Sequence, residues 1–205
     1  LLDVLVISIF VALLRRGSFK NLARVEFNKI TLIIIPFVLQ YLLVKGGEKG
    51  IEWFGEWGVY LHIFSYLLLL AGIWYNRHIR EMGIFGVGIL LNFLVIILNK
   101  GQMPVSLEAL KKAGMENMLS LIQSKTYVVH TLMETNTRLK LLADIIALPP
   151  PYPRPRVLSV GDLIMAVGVF LLVQNYMMGK TRYPGMEGNN ANRFTFRKNE
   201  KNRGI

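Results

Sequence analysis

Eight side chains able to carry charge lie between positions 130 and 162, and seven of them could converge on one site: His130, Glu134, Arg138, Asp144, Arg154, Arg156 and Asp162. A histidine beside carboxylates can move protons by general acid–base chemistry. His130, Asp144 and Asp162 are therefore the candidates for a catalytic role. Paired arginines can hold a phosphate or carboxylate with two parallel N–H donors. Arg138, Arg154 and Arg156 are the candidate ligand-binding residues. The competing reading is structural, with the same charges pairing to dock surface helices onto membrane spans.

Two further polar residues, His62 and Asn92, interrupt apolar runs. Burying such a group in a membrane is costly, which makes each a functional candidate by default. For Asn92 the plain alternative is a hydrogen bond between helices. For His62 it is a hydrogen-bonded structural or interfacial histidine. A haem or metal ligand would need a partner, and no H-E-x-x-H spacing occurs. The chain has no cysteine. No metal and no cofactor is expected. There is also no P-loop and no G-x-S-x-G elbow. The "GIFGVG" run from Gly83 to Gly88 follows no strand, so its glycines read as close helix packing and not as a dinucleotide loop.

The elements that must position these residues are apolar. Of 205 residues, 53% are hydrophobic, and the mean hydropathy is +0.41. A spanning helix needs about 20 apolar residues. Five segments approach this: Leu1 to Leu14 (short), Ile30 to Val44 with Pro36 inside, Gly58 to Tyr75, Gly83 to Leu98, and Val157 to Met178. The first carries its positive charges after the apolar run, at Arg15 and Arg16, unlike a secretory signal. It is read as a retained span.

Net charge is +11. The basic residues mostly flank apolar runs, so the charge reads as membrane orientation and not as nucleic-acid binding. With the first loop, the turn at 76–82 and the tail placed inside, that side holds fourteen basic and four acidic residues. The N-terminus is then outside and the C-terminus cytoplasmic. Trp53, Trp57, Trp74 and Tyr75 mark span ends.

Residues 99–156 form an outer segment. Apolar residues from Leu107 to Ile122 recur along one face, with Ser106 as N-cap and Glu108 in the first turn. A second helix is expected over about 127–148, with Leu139, Leu142, Ile145 and Ile146 as its stripe, ended by Pro149 to Pro151. The prolines of "ALPPPYPRPRVLSVGD" would make a stiff, extended strut. Ser159 and Asp162 stand at capping-box spacing for the last span. The expected organisation is thus 1–98, the first four spans; 99–156, amphipathic helices and strut; 157–178, the fifth span; and 179–205, a basic, mobile cytoplasmic tail. The fold class is all-α.

With these segments in place, "NKGQMPVS", "TRLKLLADIIALP" and "SVGDLIMAVGVFLL" resemble a family of small bacterial multipass membrane proteins of unknown function. The resemblance covers most of the chain outside the tail. One segment departs from the family's Leu-Gly-Asp, reading Leu142-Ala143-Asp144. The resemblance implies the bacterial plasma membrane and no activity. From the residues, the leading expectation is a non-catalytic protein. Its outer face would bind an anionic lipid, an amphiphile or a partner membrane protein, including a second copy. A membrane enzyme acting on a lipid or isoprenoid-linked substrate is the alternative, and a small transporter or channel is the third.

Overall fold

The computed structural model describes residues 1–124 and 126–179. The tail from Lys180 onward lies outside the described residues. The described chain is mostly helical, and five apolar helices dominate it: α1 (Leu2–Leu14), α3 (Thr31–Glu48), α4 (Glu52–Tyr75), α5 (Arg80–Leu98) and α8 (Val160–Met177). A short helix, α2 (Phe19–Leu22), follows α1.

Four of these, α3, α4, α5 and α8, are long and apolar enough to cross a membrane. Helix α1 has 13 residues. At about 1.5 Å per residue it reaches roughly 20 Å, against a hydrocarbon core of about 30 Å. The core is built from helix pairs: α5 packs on α8, α3 on α4, and α1 along α8. Helix α4 meets α5 across a smaller contact.

Glycines set the closest approach. A Cβ on Gly88 would come within 2.5 Å of the Gly161 carbonyl oxygen, and one on Gly168 within 2.8 Å of the Phe85 amide. Backbones this close need a glycine at the point of contact. Gly86 makes room instead for the Ile73 side chain of α4, 2.8 Å from its Cβ position. Gly83 is a correction: nothing lies within 4 Å of its Cβ position, so it serves no packing.

Residues 99–159 gather over the ends of these helices, and here the structure departs most from expectation. The single helix expected from Ser106 is two short ones, α6 (Leu107–Lys112) and α7 (Met118–Ile122). Gly114 separates them at φ +68°, a left-handed conformation that ends a helix. The helix expected over 127–148 is absent. Its β-branched start pairs instead: β1 (Met103–Val105) runs parallel to β2 (His130–Leu132). A short 3-10 turn follows at Lys140–Leu142.

The strut is a further correction. β3 (Ile146–Leu148) and β4 (Arg156–Leu158) form an antiparallel hairpin, with Ile146 opposite Leu158. The prolines therefore occupy the turn between two paired strands. β4 also explains why the last helix starts at Val160 and not at Val157. Its capping box is present: Ser159 accepts from the Asp162 amide, and the Asp162 side chain accepts from the Ser159 amide.

Candidate functional site

β1 is the axis of the polar site. On one side it pairs with β2, which sets His130 opposite Met103. On the other, Val105 bridges to Asp144. The Asp144 amide donates to the Pro104 carbonyl at 3.0 Å, and the Ser106 amide donates to the Asp144 carbonyl at 2.9 Å. Two residues 14 positions apart thus flank one strand, with His130 Nε2 3.5 Å from Asp144 Oδ2. Three residues before His130, the Tyr127 hydroxyl lies 3.0 Å from His130 Nδ1, with the two rings stacked. Tyr127 is buried and so is Asp144.

Burial of Tyr127 and Asp144, and partial burial of His130, whose side chain is 28% exposed, govern the charge of this cluster. Burial pushes the His130 imidazole down, and the nearby His62 adds to the effect. It holds the Asp144 carboxyl well above the usual carboxylate range, and the Asp162 charge adds to that. It pushes the Tyr127 phenol up to about 12, with Glu48 and Asp144 contributing.

A second cluster joins α5 to the start of α8. The Asn92 amide nitrogen donates to Asp162 Oδ1 at 3.0 Å, and the Ser159 hydroxyl donates to Asn92 Oδ1 at 2.8 Å. Tyr66 sits beside Asn92 and feels the charges of both Asp144 and Asp162. His62 is 2% exposed, with Nδ1 2.9 Å from the Gly101 carbonyl and its ring edge-on to Tyr66. The Ser65 hydroxyl donates to the His62 carbonyl, and Gln40 donates to Ser65. So His62 is buried between α4 and the chain after α5, not at an exposed interface.

The three arginines part company. Arg154 and Arg156 both reach Asp3 at the start of α1, as does the Tyr152 hydroxyl at 2.8 Å. The Arg154 side chain is 62% exposed and that of Arg156 28%. The bond to Asp3 raises the Tyr152 phenol. Arg138 lies elsewhere. Its backbone is held from both sides by the Asn99 side chain, and the residue is exposed.

Of the seven candidates from 130 to 162, then, the structure joins His130 to Asp144, sends Arg154 and Arg156 to Asp3, and uses Asp162 as a helix cap. Glu134 and Arg138 stay on the surface. No group of three or more His, Asp or Glu residues arranged for a metal occurs among the described residues. Sequence reasoning did not single out Tyr66, Tyr127 or Tyr152. The three-residue step from Tyr127 to His130 was the one available signal.

Beside α1 a cavity of about 500 Å³ lies between α1 and α3, floored by α5 and α8. Its lining is apolar apart from Glu81, which accepts a hydrogen bond from Asn175 at 2.6 Å. Leu2 and Phe37 on its walls are 59% and 37% exposed, so it opens sideways as a groove. Leu1 and Leu2 line it, and the next residue is the Asp3 that holds the arginines.

Apolar helices of spanning length, paired through glycines and sharing buried polar bonds, define a multipass helical membrane protein. The model of a family of unknown function, DUF5317, matches residues 24–174. The chain belongs to that family. It is also similar to an uncharacterized protein of Thermotoga maritima, 29% identical over 171 residues that cover 83% of this chain and 88% of that relative. No solved structure matches.

Proposed function

We propose that this protein binds an anionic amphiphile, with the apolar chain in the groove between α1 and α3 and the headgroup at Arg154. One observation supports the reading above others: the groove and a surplus cation meet at the same end of α1. Leu1 and Leu2 line the groove. Asp3 then faces two guanidiniums with one carboxylate, leaving one positive charge over, and Arg154 is the exposed member. A volume of about 500 Å³ falls within the range of small-molecule sites, roughly 300–1,000 Å³. On this reading residues 99–159 form the outer cap, the N-terminus of α1 faces outward, and the protein sits in a bacterial plasma membrane.

The test compares thermal unfolding in nanodiscs of phosphatidylglycerol and of phosphatidylcholine. A ligand that binds the folded state raises the midpoint. The wild-type midpoint is expected to be higher in the anionic lipid, and Arg154→Gln is expected to remove most of that difference. Equal midpoints in both lipids would refute the headgroup assignment.

A second reading, acid–base chemistry on a lipid-linked substrate, draws on the His130–Asp144 contact. Asp162, its third candidate, is already engaged by Asn92 and by the cap of α8.

A further inference from the structure

We propose that Tyr127, His130 and Asp144 form a proton-dependent clasp that holds the β1–β2 pair against the helices and opens as pH rises. This goes beyond the amphiphile reading and does not rest on it.

The three side chains bridge separate parts of the core. Tyr127 packs against the C-terminal turn of α3, where a Cβ on Gly47 would come within 3.0 Å of Tyr127 Cα, and it shares a cluster with Leu43. Asp144 follows Ala143, which packs with Val95 and Ile96 of α5. His130 stands between them, at 3.0 Å from the Tyr127 hydroxyl and 3.5 Å from the Asp144 carboxyl. The chain is closed at both ends by buried groups, so it reads as a fastening more than as a substrate site.

The groups that face it are few. Helix α4 brings His62 and Tyr66, α8 brings Asp162, and the end of α3 brings Glu48. Helix α5 brings the uncharged Asn92, and β1 (Met-Pro-Val) has no titratable side chain. Glu48 is paired with Lys45 at 2.6 Å and acts on Tyr127, which leaves Asp162 as the acid acting on Asp144. A carboxylate formed at Asp144 without a proton on its partner would therefore add negative charge to a buried position that already faces Asp162.

The pH dependence follows from counting protons. When the clasp is closed, burial and the charge of Asp162 make the His130–Asp144 pair keep its last proton, on whichever of the two side chains it resides. When the clasp is open, His130 gives up its proton near its ordinary value of 6.5. Below that pH the open pair also holds one proton, so opening moves none and the clasp is insensitive to pH. Above it, opening releases a proton, and the stability of the clasp is lost as pH rises.

Hydrogen–deuterium exchange of the full chain in nanodiscs, followed at the amides of Met103, Val105 and 130–132 from pH 5.5 to 8.5 and corrected for intrinsic rate, tests this. Wild-type protection is expected to be level up to about 6.5 and then to fall by as much as tenfold per pH unit, the slope of one proton. Asp144→Asn keeps a hydrogen-bonding side chain without the titration and is expected to remove the fall above pH 6.5. His130→Gln leaves the open state with no proton above the carboxylate range, and the fall is expected to begin at lower pH. Wild-type protection that is level throughout the range, or a slope unchanged in Asp144→Asn, would overturn the proposal. If Asp144→Asn does not fold, an unmoved onset in His130→Gln overturns it equally.

Discussion

Asn92 and Asp162 are 70 positions apart and share a hydrogen bond of 3.0 Å, from the Asn92 amide nitrogen to Asp162 Oδ1. The same amide uses its oxygen to accept from the Ser159 hydroxyl at 2.8 Å. Asn92 is 3% exposed and Ser159 is fully buried. One neutral side chain thus ties the middle of α5 to the capping box of α8. An amide suits this place because it donates to a carboxylate and accepts from a hydroxyl at once.

Replacing Asn92 should expose that dual role. Asn92→Leu removes both bonds and leaves buried partners, at a cost of about 1–3 kcal/mol for each group left unsatisfied. Asn92→Asp is expected to be worse, because it places a second carboxylate against Asp162 and removes the donor. Thermal unfolding in detergent micelles should rank wild type above Leu and Leu above Asp. A fully stable Asp variant would show that the bond to Asp162 carries little.

The glycines offer a graded test of the α5–α8 contact. Gly168→Ala puts a methyl about 2.8 Å from the Phe85 amide, and Gly88→Ala puts one 2.5 Å from the Gly161 carbonyl. Both neighbours are backbone and cannot move aside cheaply, so each substitution should cost about 1–3 kcal/mol, as overpacking does. Gly83→Ala meets nothing within 4 Å. It should be neutral or gain about 0.5–1 kcal/mol of helix propensity. Unfolding midpoints of the three variants give the comparison.

The latch at Asp3 should be uneven. Arg154 is largely exposed, and an exposed ion pair contributes about 0–1 kcal/mol. Arg154→Ala should therefore leave stability almost unchanged in phosphatidylcholine nanodiscs, where no anionic headgroup is present. Asp3→Asn weakens three contacts together, with Tyr152, Arg154 and Arg156. It should loosen α1 from the hairpin of β3 and β4, seen as reduced cross-linking between cysteines introduced at Val4 and Pro153.

Tyr127→Phe separates the ends of the clasp. It removes the hydroxyl at His130 Nδ1 and leaves the Asp144 contact. Protection of β2 amides should drop at every pH while the alkaline fall persists, because the group that retains the proton is still there. Loss of the slope with the hydroxyl would show that the His130–Asp144 pair keeps its proton only while Tyr127 holds the imidazole.

The helices were legible because their signal is local. Apolar runs between charged turns marked all five, and the spacing of Ser159 and Asp162 marked a cap that the structure contains. Ser106 likewise caps α6. The connecting segment was not legible, for a physical reason. Residues 127–148 carry helix-like apolar spacing, yet β2 and the Asp144 bridge depend on a partner, β1, that lies some 25–40 positions away. The prolines of 149–155 read as extension because the pairing of β3 with β4 around them is not written in their own composition. The partner of Arg154 and Arg156 was not legible for the same reason, since Asp3 is about 150 positions distant. The separate role of Asp162 followed from helix capping, whereas its bond to Asn92 required two helices to be set side by side.

The most direct test of amphiphile binding is native mass spectrometry of the protein taken from bacterial membranes in mild detergent, wild type beside Val169→Trp. Val169 lines the groove and is not fully buried, so an indole there should fill the space without breaking the core. The expected result is one anionic lipid retained per wild-type chain and none in Val169→Trp, with the two proteins sharing one unfolding midpoint in phosphatidylcholine nanodiscs, where no anionic lipid is present. No retained lipid in the wild type, or the same lipid retained in both proteins, would contradict the account.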